Sequence, residues 1–129
     1  MARVPEDLKY TKEHEWVRVE DGLALVGVTD YAQRNLGDIV FVDVPTVGKA
    51  LDAEEALGNV ESVKSVSDLF MPFAGTVVAV NPELEGMPEL INEDPYDAWI
   101  AQVRPTAARD VDALLDAAAY QRYLDEQPG

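Results

Sequence analysis

A glycine-led apolar segment occurs twice in this chain and constrains its fold more than any other feature. Gly37-Asp38-Ile39-Val40-Phe41-Val42 resembles Gly75-Thr76-Val77-Val78-Ala79-Val80, and the two glycines are 38 positions apart. Each copy is short and rich in β-branched residues, as is typical of a buried strand. Two copies are too few for a solenoid. The repeat therefore predicts two related halves of a flattened β-barrel, closed so that few strand edges are exposed.

The segments around this repeat also predict short strands that are separated by turns. A hairpin is expected over 15–28, because Asp21-Gly22, a pair typical of type I′ turns, lies between two alternating apolar runs. Further strands are expected at about 38–44, buried and ended by Pro45, and at 56–63, 66–70, 76–80 and 98–103. Between the first hairpin and residue 38, a short helix is expected to open at Thr29-Asp30. Asp30 and Gln33 have capping-box spacing, and Gly37 is placed to stop the helix.

Helical periodicity dominates the C-terminal part of the chain. The apolar residues of this segment share one face, namely Val111, Leu114, Leu115, Ala118 and Ala119. A helix over 110–126 follows, as one piece or as two, since Asp116 is able to cap a second segment. We therefore expect a single domain over 1–129, with a mainly β core at about 15–104 and a C-terminal helical segment at about 106–126.

Charge excludes several classes of function. The chain has 25 acidic and 10 basic residues and a formal net charge of −15, so it would repel nucleic acid and anionic membranes. Proteins with basic patches would be attracted instead. No apolar run reaches the length of a membrane span, and residues 1–10 have neither secretion nor transit-peptide character. A cytoplasmic location is therefore expected, with a mature mitochondrial matrix protein as the alternative.

The lack of reactive side chains also excludes several kinds of catalytic and metal site. Cysteine is absent and the one histidine, His14, lies in a polar Glu13-His14-Glu15 run. Disulfides, thiol nucleophiles and Cys/His zinc sites are thereby excluded, and a serine–histidine hydrolase is disfavoured. Redox or covalent transfer chemistry in this chain would need a prosthetic group.

Lys64 is the one lysine of four that falls within the expected sheet region. Val60, Val63 and Val66 are its apolar neighbours, and small serines stand at 62 and 65. This pattern favours a hairpin whose tip holds one long side chain away from the body. On the residues alone, a solvated surface lysine and an attachment point both remain open.

The segment Glu61-Ser62-Val63-Lys64-Ser65 resembles the attachment motif of glycine-cleavage H proteins. Other segments resemble that family in the same order along about residues 8–124: Tyr10-Thr11-Lys12-Glu13-His14-Glu15-Trp16-Val17, Val26-Gly27-Val28-Thr29-Asp30-Tyr31-Ala32-Gln33, Leu36-Gly37-Asp38-Ile39-Val40-Phe41-Val42, Ser67-Asp68-Leu69-Phe70, Gly75-Thr76-Val77, Leu90-Ile91-Asn92 and Asp94-Pro95-Tyr96.

The resemblance implies a barrel-sandwich hybrid of the lipoyl/biotinyl-domain type, with two pseudo-symmetric halves, short helices and a C-terminal helical segment. It implies one lipoic acid per chain, joined by an amide to Lys64, and a carrier with no catalytic residue and no metal. The motif residues expected to support attachment are Glu61, Ser62, Val63, Ser65 and Gly75. Acidic candidates for contacts with the arm or its aminomethyl cargo are Glu13, Glu15 and Asp68.

The resemblance also implies the partners of this carrier, which is expected to be a monomer. They are a pyridoxal-phosphate glycine decarboxylase, a tetrahydrofolate aminomethyltransferase, the flavoprotein dihydrolipoyl dehydrogenase and a lipoylating enzyme. A lipoyl relay to the acyltransferase subunits of 2-oxoacid dehydrogenases is the alternative function. A biotin carrier is a related alternative, although methionines usually flank the lysine there and Val63 and Ser65 do so here. An unmodified interaction module that uses only its acidic surface is the third class.

Overall fold

The computed structural model describes residues 2–127, which fold into two β-sheets with short helices at their margins. The strands are β1 Lys9–Tyr10, β2 Glu15–Glu20, β3 Leu23–Val28, β4 Ile39–Asp43, β5 Ala50–Leu51, β6 Ala56–Ser62, β7 Val66–Phe70, β8 Gly75–Val80 and β9 Ala101–Pro105. The helices are α1 Asp30–Leu36, α2 Glu83–Gly86, α3 Leu90–Glu93, α4 Arg109–Asp112 and α5 Ala117–Asp125. One sheet has the order β1-β2-β3-β9-β8-β5 and the other β4-β6-β7.

The two glycine-led segments form corresponding strands of opposite sheets. β4 belongs to the three-stranded sheet and β8 to the six-stranded sheet, with the apolar core between them. Neither sheet closes on itself, so the fold is a flattened sandwich of the predicted hybrid type rather than a closed barrel. The core side chains from the two sheets include Val17, Val26, Val77 and Val103 on one side and Leu57, Val60 and Leu69 on the other.

The predicted β2–β3 hairpin is confirmed. Asp21 and Gly22 both have positive φ angles, 54° and 79°, as a type I′ turn requires. The helix after it, α1, ends at Gly37 as expected, but its cap is one residue earlier than the spacing suggested. The Thr29 hydroxyl accepts from the amide of Ala32, which makes Thr29 the N-cap. Asp30 instead lies in the first turn, where its carboxylate accepts from the Gln33 side chain.

The expectation that β4 is a buried strand was wrong. Ile39 is buried, but Val40 and Phe41 are 46% and 51% exposed. β4 is an edge strand, and its pairing with β6 shifts register between Ile39 and Phe41. Such a bulge breaks the inward–outward alternation, which leaves both side chains on the outer surface. The start of β9 was also misplaced, since it begins at Ala101 rather than at about 98.

The C-terminal segment forms two helices, α4 and α5, which is one of the two arrangements that the sequence left open. Asp116 caps α5 by accepting from the amide of Ala119 at 2.8 Å. Tyr120 of α5 is fully buried and stacks on Tyr10 with ring centroids 4.6 Å apart. The face of α5 thus packs against the start of the six-stranded sheet. Within residues 2–127, no helix is long and apolar enough to cross a membrane.

Gly58→Ala tests the close approach of β4 to β6. A Cβ at position 58 would collide with the carbonyl oxygen of Asp43 and lie 3.0 Å from Val44 Cα, so backbone must move. We expect a loss of about 1–3 kcal/mol in the free energy of unfolding, measured by urea denaturation. Gly86→Ala is the matched control, because a Cβ there meets nothing within 4 Å. Equal stability of the two variants would contradict this account of the sheet.

Candidate functional site

Lys64 lies in the three-residue connection between β6 and β7, at the tip of a hairpin. The connection consists of Val63, Lys64 and Ser65, and all three are exposed. Within residues 2–127 the lysine amine takes part in no ion pair. An exposed primary amine held at a hairpin tip is free to be acylated, as the attachment hypothesis requires.

Ser62 fixes the conformation of this turn. Its hydroxyl accepts from the amides of Lys64 and Ser65, at 3.3 and 3.1 Å, and lies 3.2 Å from the Ser65 carbonyl oxygen. The amide of Ser62 donates to the same carbonyl at 2.8 Å. Ser62 is buried beneath the turn, whereas Ser65 contributes only its backbone to these bonds. A small hydroxyl residue at position 62 therefore has a structural reason in the turn that carries Lys64.

A second loop, just before β4, supports the turn from the side. The amide of Val63 donates to the Asp38 carbonyl at 3.0 Å. Gly37, whose φ of 79° favours glycine, lies beside the lysine side chain, since a Cβ there would make ordinary contact with Lys64 Cε at 3.7 Å. Asn92 holds this loop by donating to the Gly37 carbonyl and accepting from the Ile39 amide, at 2.8 and 2.9 Å.

Exposed apolar side chains surround Lys64 on the outer face of the three-stranded sheet. Glu61 pairs across the strands with Phe41 on one side and Val66 on the other, so these three share one face. Val63 and Val66 are 70% and 61% exposed. The lysine is thus presented from a surface patch that is apolar with a carboxylate at its centre.

A cavity of about 150 Å³ opens next to the hairpin, between the β2 side and the β7 side of the molecule. It contains two of the predicted acidic residues, Glu13 and Asp68, together with His14. Its remaining lining is Val28, Ala32, Asn35, Leu36, Val60, Ser67 and Leu69. Asp68 is four residues from Lys64, or about 13 Å of extended chain. The cavity therefore lies within reach of an arm of roughly 14 Å on Lys64, estimated from single-bond lengths.

Glu15, the third acidic candidate, is placed differently. It is 1% exposed and lines a neighbouring cavity of about 250 Å³ with Glu13. Its two carboxylate oxygens accept from the Phe70 amide at 2.8 Å and from the Thr11 hydroxyl at 3.0 Å. Burial raises the pKa of Glu15 to about 7, although both hydrogen bonds act against the rise. The side chain connects β7 to the segment before β2 and does not face the 150 Å³ cavity.

Gly75 lies apart from the lysine hairpin, in the six-stranded sheet. A Cβ at this position would lie 2.6 Å from the Arg104 carbonyl oxygen, so glycine permits close pairing of β8 with β9.

Two residues that contribute to the site were not predicted from the sequence. His14 was considered only as a hydrolase base, and Asn92 was not singled out as a support. No local pattern identifies either of them, because their partners lie tens of residues away.

Ser62→Ala tests the turn beneath Lys64. Loss of the hydroxyl leaves the amides of Lys64 and Ser65 without their acceptor, so their hydrogen exchange should accelerate. The free energy of unfolding should fall by about 1–2 kcal/mol. Both quantities are measurable by NMR and urea denaturation. Ser65→Ala removes a hydroxyl that the turn does not use and should leave both unchanged. If the two variants behave alike, Ser62 does not hold the turn.

Glu15→Gln tests the protonation of the buried carboxyl. Because the pKa is higher in the folded than in the unfolded chain, the native state retains a proton between about pH 4.5 and 7 that the unfolded chain releases. Stability should therefore fall as pH rises through this range, by at most about 3 kcal/mol relative to the glutamine variant. Urea denaturation from pH 4.5 to 8 measures this difference. Glu85→Gln removes the same formal charge at an exposed position that does not act on Glu15 and is the matched control. Parallel pH profiles for wild type and Glu15→Gln would contradict the assignment.

Comparisons with known proteins identify the family of this chain. The family described as "Glycine cleavage H-protein" matches residues 8–127. The glycine cleavage system H protein of Bacteroides fragilis is 56% identical over 122 residues, covering 94% of this chain and 97% of that protein. The H protein of Symbiobacterium thermophilum is 54% identical over 127 residues, covering 98% and 99%. The crystal structure of the glycine cleavage system H protein from Mycobacterium marinum superposes with a TM-score of 0.85 at 42% identity, covering 95% and 99%. The predicted family is thus confirmed, and the chain belongs to the glycine cleavage H-protein family.

Proposed function

We propose that this chain is the lipoyl carrier of the glycine cleavage system and that Lys64 bears the lipoyl group. One observation carries the assignment of the residue. Lys64 is an exposed amine, without an ion pair in the described chain, at the tip of a hairpin whose turn Ser62 fixes. The family supports the function, and the resemblance of the motif around Lys64, together with this geometry, supports the residue. The chain itself catalyses no step.

The surroundings of Lys64 fit an amide-linked lipoyl group. The lysine side chain lies beside Gly37, and Lys64 is exposed to solvent. When bound, lipoic acid supplies a disulfide that accepts the aminomethyl group from glycine and a dithiol that is later reoxidised. The protein holds this chemistry at one defined point on its surface. Tethering raises the effective concentration of the arm at each partner without adding new contacts.

The 150 Å³ cavity is the proposed resting place of the arm. Apolar side chains such as Val28, Leu36 and Leu69 suit its hydrocarbon chain, and Glu13 and Asp68 suit a cationic amine cargo. Glu15 is assigned a different role, since its oxygens are both engaged in hydrogen bonds. It fixes the backbone of Phe70, two residues beyond Asp68.

The lipoylating enzyme must contact the hairpin more closely than the other partners. An unmodified lysine places its amine only about 6 Å from the backbone, whereas the lipoylated arm reaches roughly 14 Å. The acylating enzyme therefore has to cover the exposed Val63 and Val66 and meet Glu61 between them. The decarboxylase, the aminomethyltransferase and dihydrolipoyl dehydrogenase act at the end of the arm and can bind further from the hairpin.

The acidic surface would attract basic patches on each of these partners. A cytoplasmic location stays a prediction.

Lys64→Arg is the experiment that tests the assignment. Arginine keeps the positive charge, but its guanidinium is a poor acyl acceptor. The fold should survive, because an exposed turn substitution changes the free energy of unfolding by about 0.5 kcal/mol or less. Intact mass after expression in lipoate-competent cells should show one lipoyl group on wild type and none on the variant. Glycine–bicarbonate exchange with the decarboxylase should disappear.

Lys49→Arg is the matched control, since Lys49 is also exposed but lies between β4 and β5. It should keep both the lipoyl group and the exchange activity. A lipoyl group that remains on Lys64→Arg would show that another residue is the attachment site. A wild-type mass with no addition would exclude a carrier, and an addition of biotin size would change its class.

A further inference from the structure

His14 is a titratable residue that lines the 150 Å³ cavity and has no role in the carrier function described above. Its ring Nδ1 lies 2.8 Å from the hydroxyl oxygen of Tyr120, which in turn lies 2.8 Å from the hydroxyl oxygen of Thr29. Tyr120 and Thr29 are both 0% exposed. The three groups form one series of hydrogen bonds that begins at Thr29, the N-cap of α1, passes through Tyr120 of α5 and ends at His14 in the cavity wall.

The number of hydrogens available to these groups determines which group donates in each hydrogen bond. In residues 2–127, Thr29 Oγ1 accepts from the Ala32 amide, and its only other partner is the Tyr120 hydroxyl. Thr29 must therefore donate to Tyr120, because water does not reach it and an unmade bond there would be costly. Tyr120 then donates to His14 Nδ1. A neutral histidine that accepts at Nδ1 carries its hydrogen on Nε2.

The ring is also held in a fixed position. His14 has a positive φ of 67°, an unusual value for a non-glycine residue, and its backbone is bonded on both sides. Its amide donates to the Thr11 carbonyl at 3.1 Å, and its carbonyl accepts from the Thr29 amide at 3.0 Å. The Tyr31 ring packs 4.6 Å from the imidazole. Burial lowers the pKa of His14, which favours a neutral ring at pH 7.

We propose that His14 is a further arm-binding residue, whose Nε2–H, set by Tyr120, donates to a sulfur atom of the arm in the cavity. This inference rests on the proposed carrier function. The carboxylates of Glu13 and Asp68 offer acceptors, so they suit a cationic amine but not a sulfur acceptor. The end of the loaded arm carries a cationic amine and sulfur atoms. The two carboxylates therefore suit the amine, and a neutral N–H donor beside them suits a sulfur atom. Tyr120 is the positioning residue, and through it α5 is coupled to the cavity.

The tautomer is directly measurable because the chain contains one histidine. Long-range ¹H–¹⁵N correlation spectra of the unmodified protein at pH 7.5 should show a pyridine-like Nδ1 and a pyrrole-like Nε2. Tyr120→Phe keeps the ring stack on Tyr10 but loses the hydroxyl, so the spectra should show a mixture of tautomers. Tyr123→Phe is the matched control, since that ring lies 5.8 Å from His14 and its hydroxyl is not part of this series of hydrogen bonds. A pyrrole-like Nδ1 in wild type would overturn the proposal.

Binding of the arm is tested on the lipoylated protein, whose mass is checked first. After loading with glycine and the decarboxylase, the Nε2 resonance of His14 should shift, and exchange of its hydrogen with water should slow several-fold. In Tyr120→Phe the slowing should be lost, while Tyr123→Phe should match wild type. Lys64→Arg, which carries no arm, should show no change under the same treatment. An unmodified mass overturns the carrier function, whereas a lipoylated, loaded protein with unmoved His14 signals overturns the role of His14 alone.

Discussion

A buried carboxylate connects the two sheets, and the geometry of the site depends on it. Glu15 leads β2 of the six-stranded sheet, and its oxygen accepts from the Phe70 amide at the end of β7 in the three-stranded sheet. Glu13 and His14, directly before β2, lie alongside Asp68 and Leu69 of β7, and these residues line the cavity. A neutral apolar residue at position 15 would leave the Phe70 amide without this partner. The raised pKa of Glu15 follows from the burial of the acid at this position, which outweighs the lowering by its two hydrogen bonds.

The lysine hairpin shows a division between a rigid base and a mobile end. The turn is fixed by the Ser62 hydroxyl and by the bond from Val63 to the Asp38 carbonyl. The side-chain amine of Lys64 forms no ion pair within the described chain, so no such contact orders it. A modifying enzyme therefore meets a defined backbone, and the loss of conformational entropy on binding is confined to one side chain. The proposed attachment at Lys64 needs this arrangement, because the same lysine would have to be recognised once and then move freely.

The sequence predicted the elements whose signals are local. The Asp21-Gly22 turn, the hairpin that presents Lys64 and the Asp116 cap all rest on neighbouring residues, and each is found as expected. The failures have non-local causes. β4 is exposed because a bulge and an edge position override its apolar composition, and neither is encoded within the strand. The Tyr120–His14 contact joins residues 106 positions apart, which no spacing rule detects. Lys64 itself was identified through family resemblance, since a lysine at a turn is otherwise unremarkable in composition.

With the arm at rest in the cavity, as proposed, the cavity must hold it weakly enough for partners to remove it. A flexible tether gives an effective concentration in the millimolar range. If the cavity bound a free arm with a dissociation constant of about 10 μM, the tethered arm would be docked about 99% of the time, and opening would require about 2.7 kcal/mol. Two or three partner contacts of ordinary strength, about 1 kcal/mol each, offset that amount. A small, partly open cavity with two carboxylates and one neutral donor suits this range better than a deep pocket, which would trap the arm and stop the transfer that a carrier exists to perform.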